Sequence, residues 1–264
     1  MTNPDFARYF SEYLDDIEQR EGKSARVFYQ EREVRYLRTA EWLPHIIGGR
    51  ALEIGNSGFF PIILQRVYGF SEIYETQFGR PAHKKIIKKR IDIGSYQLLL
   101  TSVCLNIEAE LFPVNDGYFD FILCTEVIEH LDVDPMFMIE EFNRILVLGG
   151  HLLITTPNSC SARIVKNVIN GIRPHFFMEY TRNRDPYRHN FEYDVQTLRA
   201  VIEAGGFEVV KIATYDVFYG PCAEGLELLR SNGKSLENRG DDIFVLAKKV
   251  GPVVERWPSA LYAA

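Results

Sequence analysis

Cysteine is scarce in this chain. Four residues, Cys104, Cys124, Cys160 and Cys222, are scattered through 264 positions without a Cys-x-x-Cys pair. That spacing excludes a disulfide framework and a thiolate zinc site, and it reads as reduced, buried thiols in a cytoplasmic protein. Long apolar runs are missing as well. No stretch approaches the roughly 20 residues needed to span a bilayer, and Met1 to Asp16 lacks the basic-then-apolar order of a secretory leader, so no membrane partner is expected. Positive charge is in deficit: 30 Lys and Arg stand against 36 Asp and Glu, a formal net charge of −6. A protein that coats nucleic acid with its whole surface is therefore disfavoured. Repeats and low-complexity linkers are also absent. What remains is an ordinary soluble composition, 46% hydrophobic and 25% charged, at a length that suits one α/β domain with additions.

Helical spacing of Phe6, Phe10, Tyr13, Leu14 and Ile17 predicts an amphipathic N-terminal helix, and a second helix is expected from about Glu31 to Leu43, before Pro44. Residues 1–48 thus form a helical cap. From 49 to 250 the texture changes to short β-branched runs alternating with helical stretches. The runs are Ala51–Ile54, Glu72–Tyr74, Ser102–Leu105, Phe119–Cys124, His151–Thr155, Phe207–Ala213 and Ile243–Ala247. Such alternation implies a mostly parallel sheet covered by helices, because parallel neighbours require crossovers. Residues 251–264 read as a tail. Two inserts break the rhythm, about Asn158–Glu192 and Tyr219–Gly240, and long loops beside an α/β sheet are usually functional. The basic run Lys84, Lys85, Lys88, Lys89, Arg90 reads as the exposed face of a helix after the second strand.

The first strand runs into Gly55-Asn56-Ser57-Gly58, where Gly55 and Gly58 let backbone approach a ligand closely. Glu75, at the end of the second strand, stands where an acid accepts hydrogen bonds from both ribose hydroxyls of a nucleoside. After the fourth strand come Glu126, Glu129 and His130, spaced to share one face at the opening of a helix. Two close carboxylates repel unless a proton or cation lies between them, and two oxygens with one imidazole suit Mg²⁺ or Mn²⁺. Two other readings stay open: His130 as a metal-free general base, or Glu126 as a helix cap with Glu129 and His130 in structural pairs.

Several blocks follow in order: Leu52-Glu53-Ile54-Gly55-Asn56-Ser57-Gly58, Asn115-Asp116-Gly117-Tyr118-Phe119-Asp120 through Glu126-Val127-Ile128-Glu129-His130, Leu148-Gly149-Gly150-His151 through Thr155-Thr156-Pro157-Asn158, and Ala204-Gly205-Gly206-Phe207. Together they resemble the class I S-adenosylmethionine-dependent methyltransferases over about Arg50 to Val250. The resemblance implies a Rossmann-like seven-stranded sheet whose last strand inserts antiparallel. It implies S-adenosylmethionine held by Glu53, Gly55, Asn56, Ser57 and Gly58 at the methionine and Glu75 at the ribose. Asn106, with Ile107, stands where the family has an Asp against the adenine amino group, and Thr125 is a further candidate contact. Asn106 and Ser57 depart from the family pattern.

Glu-Val-Ile-Glu-His together with Tyr187-Arg188-His189-Asn190-Phe191-Glu192-Tyr193 is similar to the metal-dependent branch that includes the small-RNA 3′-terminal 2′-O-methyltransferases. Some ubiquinone-pathway O-methyltransferases share the first motif. The resemblance implies Glu126, Glu129, His130 and His189 as metal ligands, with Glu129, His130 and His189 at the chemistry.

Residues 163–188 carry Arg163, Lys166, Arg173, Arg182, Arg184 and Arg188 against Glu179 and Asp185, a formal +4 that leaves −10 on the rest. Interleaved Phe176, Phe177, Tyr180 and Tyr187 suit a sugar-bearing or anionic acceptor. The expectation is an O-methyltransferase acting on a vicinal diol of a sugar, glycan terminus or nucleotide-sugar, with an RNA terminus as the alternative. His45, His83, His151 and His175 read as surface or packing residues.

Overall fold

The computed structural model describes residues 4–78, 86–93, 96–174, 182 and 188–263. His83, Lys84, Lys85, His175, Phe176, Phe177, Glu179, Tyr180, Arg184, Asp185 and Tyr187 lie outside the described residues. Eight strands take the order β3-β4-β2-β1-β5-β6-β8-β7: β1 (Arg50–Ile54), β2 (Glu72–Phe78), β3 (Ile86–Ile93), β4 (Tyr96–Leu105), β5 (Phe119–Thr125), β6 (Leu146–Pro157), β7 (Phe207–Tyr215) and β8 (Asp242–Lys249). Among the described residues no helix is long and apolar enough to cross a membrane. The chain divides into two compact units, Met1–Leu123 with Ile145–His151, and Cys124–Arg144 with Leu152–Ala264.

In the first unit, β1 pairs parallel with β2, and β2 parallel with β4. The eighth strand departs from the expected seven. It is β3, antiparallel to β4, and it takes in the Lys88-Lys89-Arg90 run read above as a helix face. The reason is periodicity: Ile87, Ile91 and Ile93 alternate with Lys88, Arg90 and Asp92 at a spacing of two, which a cluster of cations disguises.

Three helices precede the sheet: α1 (Pro4–Glu21), α2 (Lys23–Gln30) and α3 (Glu33–Ala40). The single helix expected from Glu31 to Leu43 is thus α3 alone. Gly22, with φ of +92°, separates α1 from α2, and Arg32, outside helical geometry, separates α2 from α3. All five apolar residues of the α1 stripe are buried. Phe6, Phe10 and Tyr36 set their rings 5.0 to 5.6 Å from the ring of Phe59, just before α4 (Phe60–Arg66). Edge-to-face pairs of this kind add about 0.5–1.5 kcal/mol each beyond area burial.

In the second unit, β8 runs antiparallel to β7 and stands between β6 and β7, as an inserted last strand should. Helix α5 (Pro135–Ile145) buries Met136, Met138, Ile139 and Phe142, and α7 (Val195–Ala204) packs on β7. The two inserts meet each other. Helix α6 (Ala162–Ile169), capped by Ser161, packs on α8 (Ala223–Ser231) around Ala162, Cys222 and Leu229. Contact is closest at Gly225, where a Cβ would fall 2.0 Å from the Ala162 carbonyl oxygen. Gly225→Ala should therefore cost about 2–3 kcal/mol by overpacking, read as a lower urea midpoint at unchanged slope. The cysteines are all free, but Cys160 is exposed and Cys104 half-buried, so only Cys124 and Cys222 match the expected burial.

Candidate active site

In the first unit, β1 delivers Glu53 at its buried end and the chain then turns through Gly55-Asn56-Ser57-Gly58. The turn is held at both sides by residues the sequence did not connect with it. Thr76, one residue past Glu75 on β2, accepts from the Gly55 N–H through its hydroxyl at 2.8 Å. Tyr13 of α1 donates its hydroxyl to the Ser57 carbonyl at 2.9 Å, and burial pushes its phenol pKa well up, so it stays a donor. Ser57 itself accepts from the Phe59 and Phe60 N–H groups, which starts α4. Gly55 has φ of +91° and open space where a Cβ would stand, a cradle that a side chain would fill.

Glu53 is 1% exposed. Its Oε1 accepts from the Ser57 N–H at 3.2 Å, while its Oε2 is buried with no hydrogen-bond partner among the described residues. Burial, more than the neighbouring Glu75 charge, pushes this carboxyl up to about 8. A buried acid with one orphaned oxygen beside an open glycine cradle is chemically fitted to the cationic end of a methionine-like ligand.

Glu75 lies within β2 instead of at its end and is buried, accepting from Lys89 Nζ at 2.8 Å. Asn106 follows β4. Its amide oxygen already accepts from the Glu108 N–H at 3.0 Å in an Asx turn, leaving one lone pair for an adenine amino group. Asn56 is exposed, whereas Ser57, Gly58 and Ile107 are half-buried.

In the second unit, residues 126–130 do not open a long helix. Ile128–His130 form one tight turn and α5 begins only at Pro135. Glu129, His130 and His189 each present a ligand atom, all within 4.8 Å of one another. Glu126 falls outside this trio. Off the helix, it takes a left-handed φ of 55°, and its Oε1 accepts from the Thr155 hydroxyl at 2.6 Å. Thr125, beside it, is half-buried.

The trio is held from behind. Thr156 donates to Glu129 Oε2 at 2.9 Å. The two imidazoles meet edge to face, centroids 5.0 Å apart. His130 Nδ1 is 3.1 Å from the Arg188 carbonyl and His189 Nδ1 is 3.3 Å from Glu192 Oε1. Both partners are acceptors, so each ring carries its proton on Nδ1 and presents Nε2 as the ligand nitrogen. Burial, reinforced by the nearby His189, lowers the His130 pKa, which keeps this ring neutral at neutral pH. Glu129 is fully buried and His189 is 4% exposed. Two imidazoles and one buried carboxylate fit a divalent cation.

Glu192, Thr155 and Thr156 went unassigned in the sequence, although each stands in a block quoted there. Asn158 completes the support: its Nδ2 donates to the Asn238 and Gly240 carbonyls, and it bridges to Tyr193 in the His189 segment. Beside it lies a pocket of about 230 Å³ lined by Thr214, Asp216, Cys222, Leu226 and Arg239 among others. The basic insert is partly spent on this architecture. Arg163 donates to the Tyr219 and Gly220 carbonyls and stacks over Tyr219, and Lys166 pairs with Glu224.

A central β1 that ends in a glycine turn, an acid on β2 and a reversed last strand together fit the class I methyltransferase fold. A family model for the methyltransferase domain matches residues 30–212, more than half of the chain, and the chain belongs to that family. It is an S-adenosylmethionine-dependent methyltransferase. Solved structures agree in fold. An S-adenosylmethionine-dependent methyltransferase from Mesorhizobium loti superposes with a TM-score of 0.50 at 14% identity, covering 81% of this chain and 97% of that one. One from Archaeoglobus fulgidus gives 0.50 at 20% identity, covering 90% and 99%. A Haemonchus contortus phosphoethanolamine N-methyltransferase, solved with phosphomonomethylethanolamine and S-adenosylhomocysteine, gives 0.51 at 12% identity, covering 90% and 60%. No curated protein matches the chain by sequence.

Proposed function

We propose that the protein is a divalent-metal-dependent O-methyltransferase that methylates one hydroxyl of a vicinal diol on a sugar, glycan terminus or nucleotide-sugar. The observation that carries this reading is the convergence of Glu129, His130 and His189 within 4.8 Å in a buried setting. S-adenosylmethionine supplies the methyl group, with Glu53, Gly55, Ser57 and Gly58 at its methionine end and Glu75 at its ribose. A divalent cation, when bound, lowers the pKa of an alcohol and fixes its oxygen for in-line attack. Glu129, His130 and His189 are the residues that would hold it.

The work of the chain is preorganisation. Thr156 fixes the Glu129 rotamer, while the Arg188 carbonyl and Glu192 fix the tautomers of the two imidazoles. Orientation of this kind lets a ligand set form without rearrangement at the moment of binding. The donor set supports the choice of a diol: three protein donors leave coordination positions that two adjacent oxygens of an acceptor would fill. The partly engaged basic insert supports an acceptor of modest charge more than a long polyanion.

Chelation tests the proposal. With EDTA, release of S-adenosylhomocysteine in the presence of a nucleotide-sugar, a methyl glycoside or a short RNA with a 3′-terminal diol should fall to background, and Mn²⁺ should restore it. Binding of S-adenosylhomocysteine, followed by calorimetry, should persist throughout. Full turnover in EDTA would sink the metal role and leave His130 as a general base.

A further inference from the structure

Strand β3 is the addition to the expected sheet, and one residue on it breaks its own pattern. The face of β3 that carries Ile87, Ile91 and Ile93 becomes more buried along the strand, yet the position between Ile87 and Ile91 is Lys89. The opposite face takes Lys88, Arg90 and Asp92, all exposed. A lysine set among isoleucines gives up hydration of its charge, so a partner is required to offset the loss. The register supplies it. Glu75 of β2 stands opposite Ser102 of β4, and Ser102 stands opposite Ile87, so Lys89 is on the same sheet face two residues along. Its Nζ reaches Glu75 Oε1 at 2.8 Å, and the Glu75 side chain is 3% exposed. Gln77 Nε2 approaches that same oxygen at 3.4 Å. Among the described residues no donor reaches Oε2.

We infer that Lys89 is a cofactor-positioning residue: it holds Glu75 through Oε1 and leaves Oε2 turned to the ribose hydroxyls of S-adenosylmethionine. The inference rests on the reading of Glu75 as the ribose carboxylate. A buried acid without a counter-charge would be costly and free to change rotamer. With Lys89 in place, one oxygen is committed to the protein and the other accepts from the ligand, so the ribose meets an acceptor already aimed. The extra strand is thereby tied to cofactor affinity as well as to the sheet edge.

Calorimetry with S-adenosylhomocysteine and with its 2′,3′-dideoxyribose analogue tests this on the full chain. Lys89→Met should weaken S-adenosylhomocysteine about tenfold, a typical loss for a charge-assisted contact. Lys89→Arg, which keeps the cation, should stay within about threefold, and Lys88→Met, on the opposite face, should change nothing. The dideoxy analogue should bind wild type and Lys89→Met alike, since it has no hydroxyl for Glu75 to accept. In a Glu75→Ala background, Lys89→Met should add no further loss, as expected for residues acting as one unit. Thermal unfolding of each variant separates a lost fold from a lost contact.

Unchanged or tighter binding by a folded Lys89→Met overturns the inference, because Lys89 would then be idle or a competitor of the ribose. An equal loss for the dideoxy analogue overturns it too. If Glu75→Ala weakens binding and Lys89→Met does not, the Lys89 role alone fails. If Glu75→Ala itself binds like wild type, the ribose reading of Glu75 fails with it.

Discussion

His189→Ala is expected to weaken Mn²⁺ binding by at least about 100-fold, some 2.7 kcal/mol, and to bring turnover to background while S-adenosylhomocysteine affinity stays within about twofold. Glu129→Gln should do the same, because it removes the only carboxylate of the trio found among the described residues. Two supporting substitutions should give graded effects. Thr156→Val deletes the donor to Glu129 Oε2, and Glu192→Gln weakens the acceptor that holds His189 Nδ1. Outer partners of this kind are worth about 10- to 100-fold in metal affinity. Mn²⁺ titration followed by electron paramagnetic resonance reads all four without any acceptor substrate. If His189→Ala lost turnover but bound Mn²⁺ as tightly as wild type, His189 would belong to the chemistry and not to a metal.

Glu53 gives the second large effect, and it is a dependence on pH. The buried carboxyl has a pKa of about 8 in the folded protein against an ordinary 4.5. Between those values the native state holds a proton that the unfolded chain has released. Stability is therefore fully present below about pH 4.5 and is lost as pH rises through about 8. The shift corresponds to a loss on the order of 5 kcal/mol across the window. Urea unfolding from pH 5.5 to 8.5 should show wild type losing stability steeply and Glu53→Gln losing far less. Parallel slopes for the two proteins would refute the assignment.

A cationic methionine end placed at Glu53 favours its ionised form. Cofactor binding near pH 7 should accordingly release a proton, seen as binding heats that differ between Tris and phosphate buffers.

Local rules made much of this molecule readable in advance. Phe6 to Ile17 are a helical stripe whatever lies below them, and Phe119 to Cys124 form a buried strand by apolar content alone. Glu53, Gly55 and Gly58 lie close together in sequence, so their shared turn is visible there. The hidden parts depend on pairing across distance. Lys88 to Arg90 look like a helix face until Leu99 to Thr101 supply the partner strand. Glu126 fits a helical spacing with Glu129, but the chain turns too tightly after β5 for that spacing to operate. Thr76 and Tyr13 fix the Gly55 turn through hydrogen bonds spanning 21 and 44 residues, which no local pattern encodes. Part of the charge of the basic insert is hidden for a related reason. Arg163 and Lys166 find their partners in Tyr219 and Glu224, beyond any local reading.

The aromatic nest around Phe59 has a consequence for biosynthesis. Phe6, Phe10, Tyr13 and Tyr36 are all translated before the ring they surround. A nascent segment of forty residues would therefore leave the ribosome with an apolar stripe that only Tyr29 and Tyr36 partly cover. At roughly 5–20 residues per second, that exposure lasts a second or more before Phe59 emerges. Chaperone capture and aggregation during synthesis should both concentrate on this early window, and thinning the stripe would relieve them at the expense of the finished core.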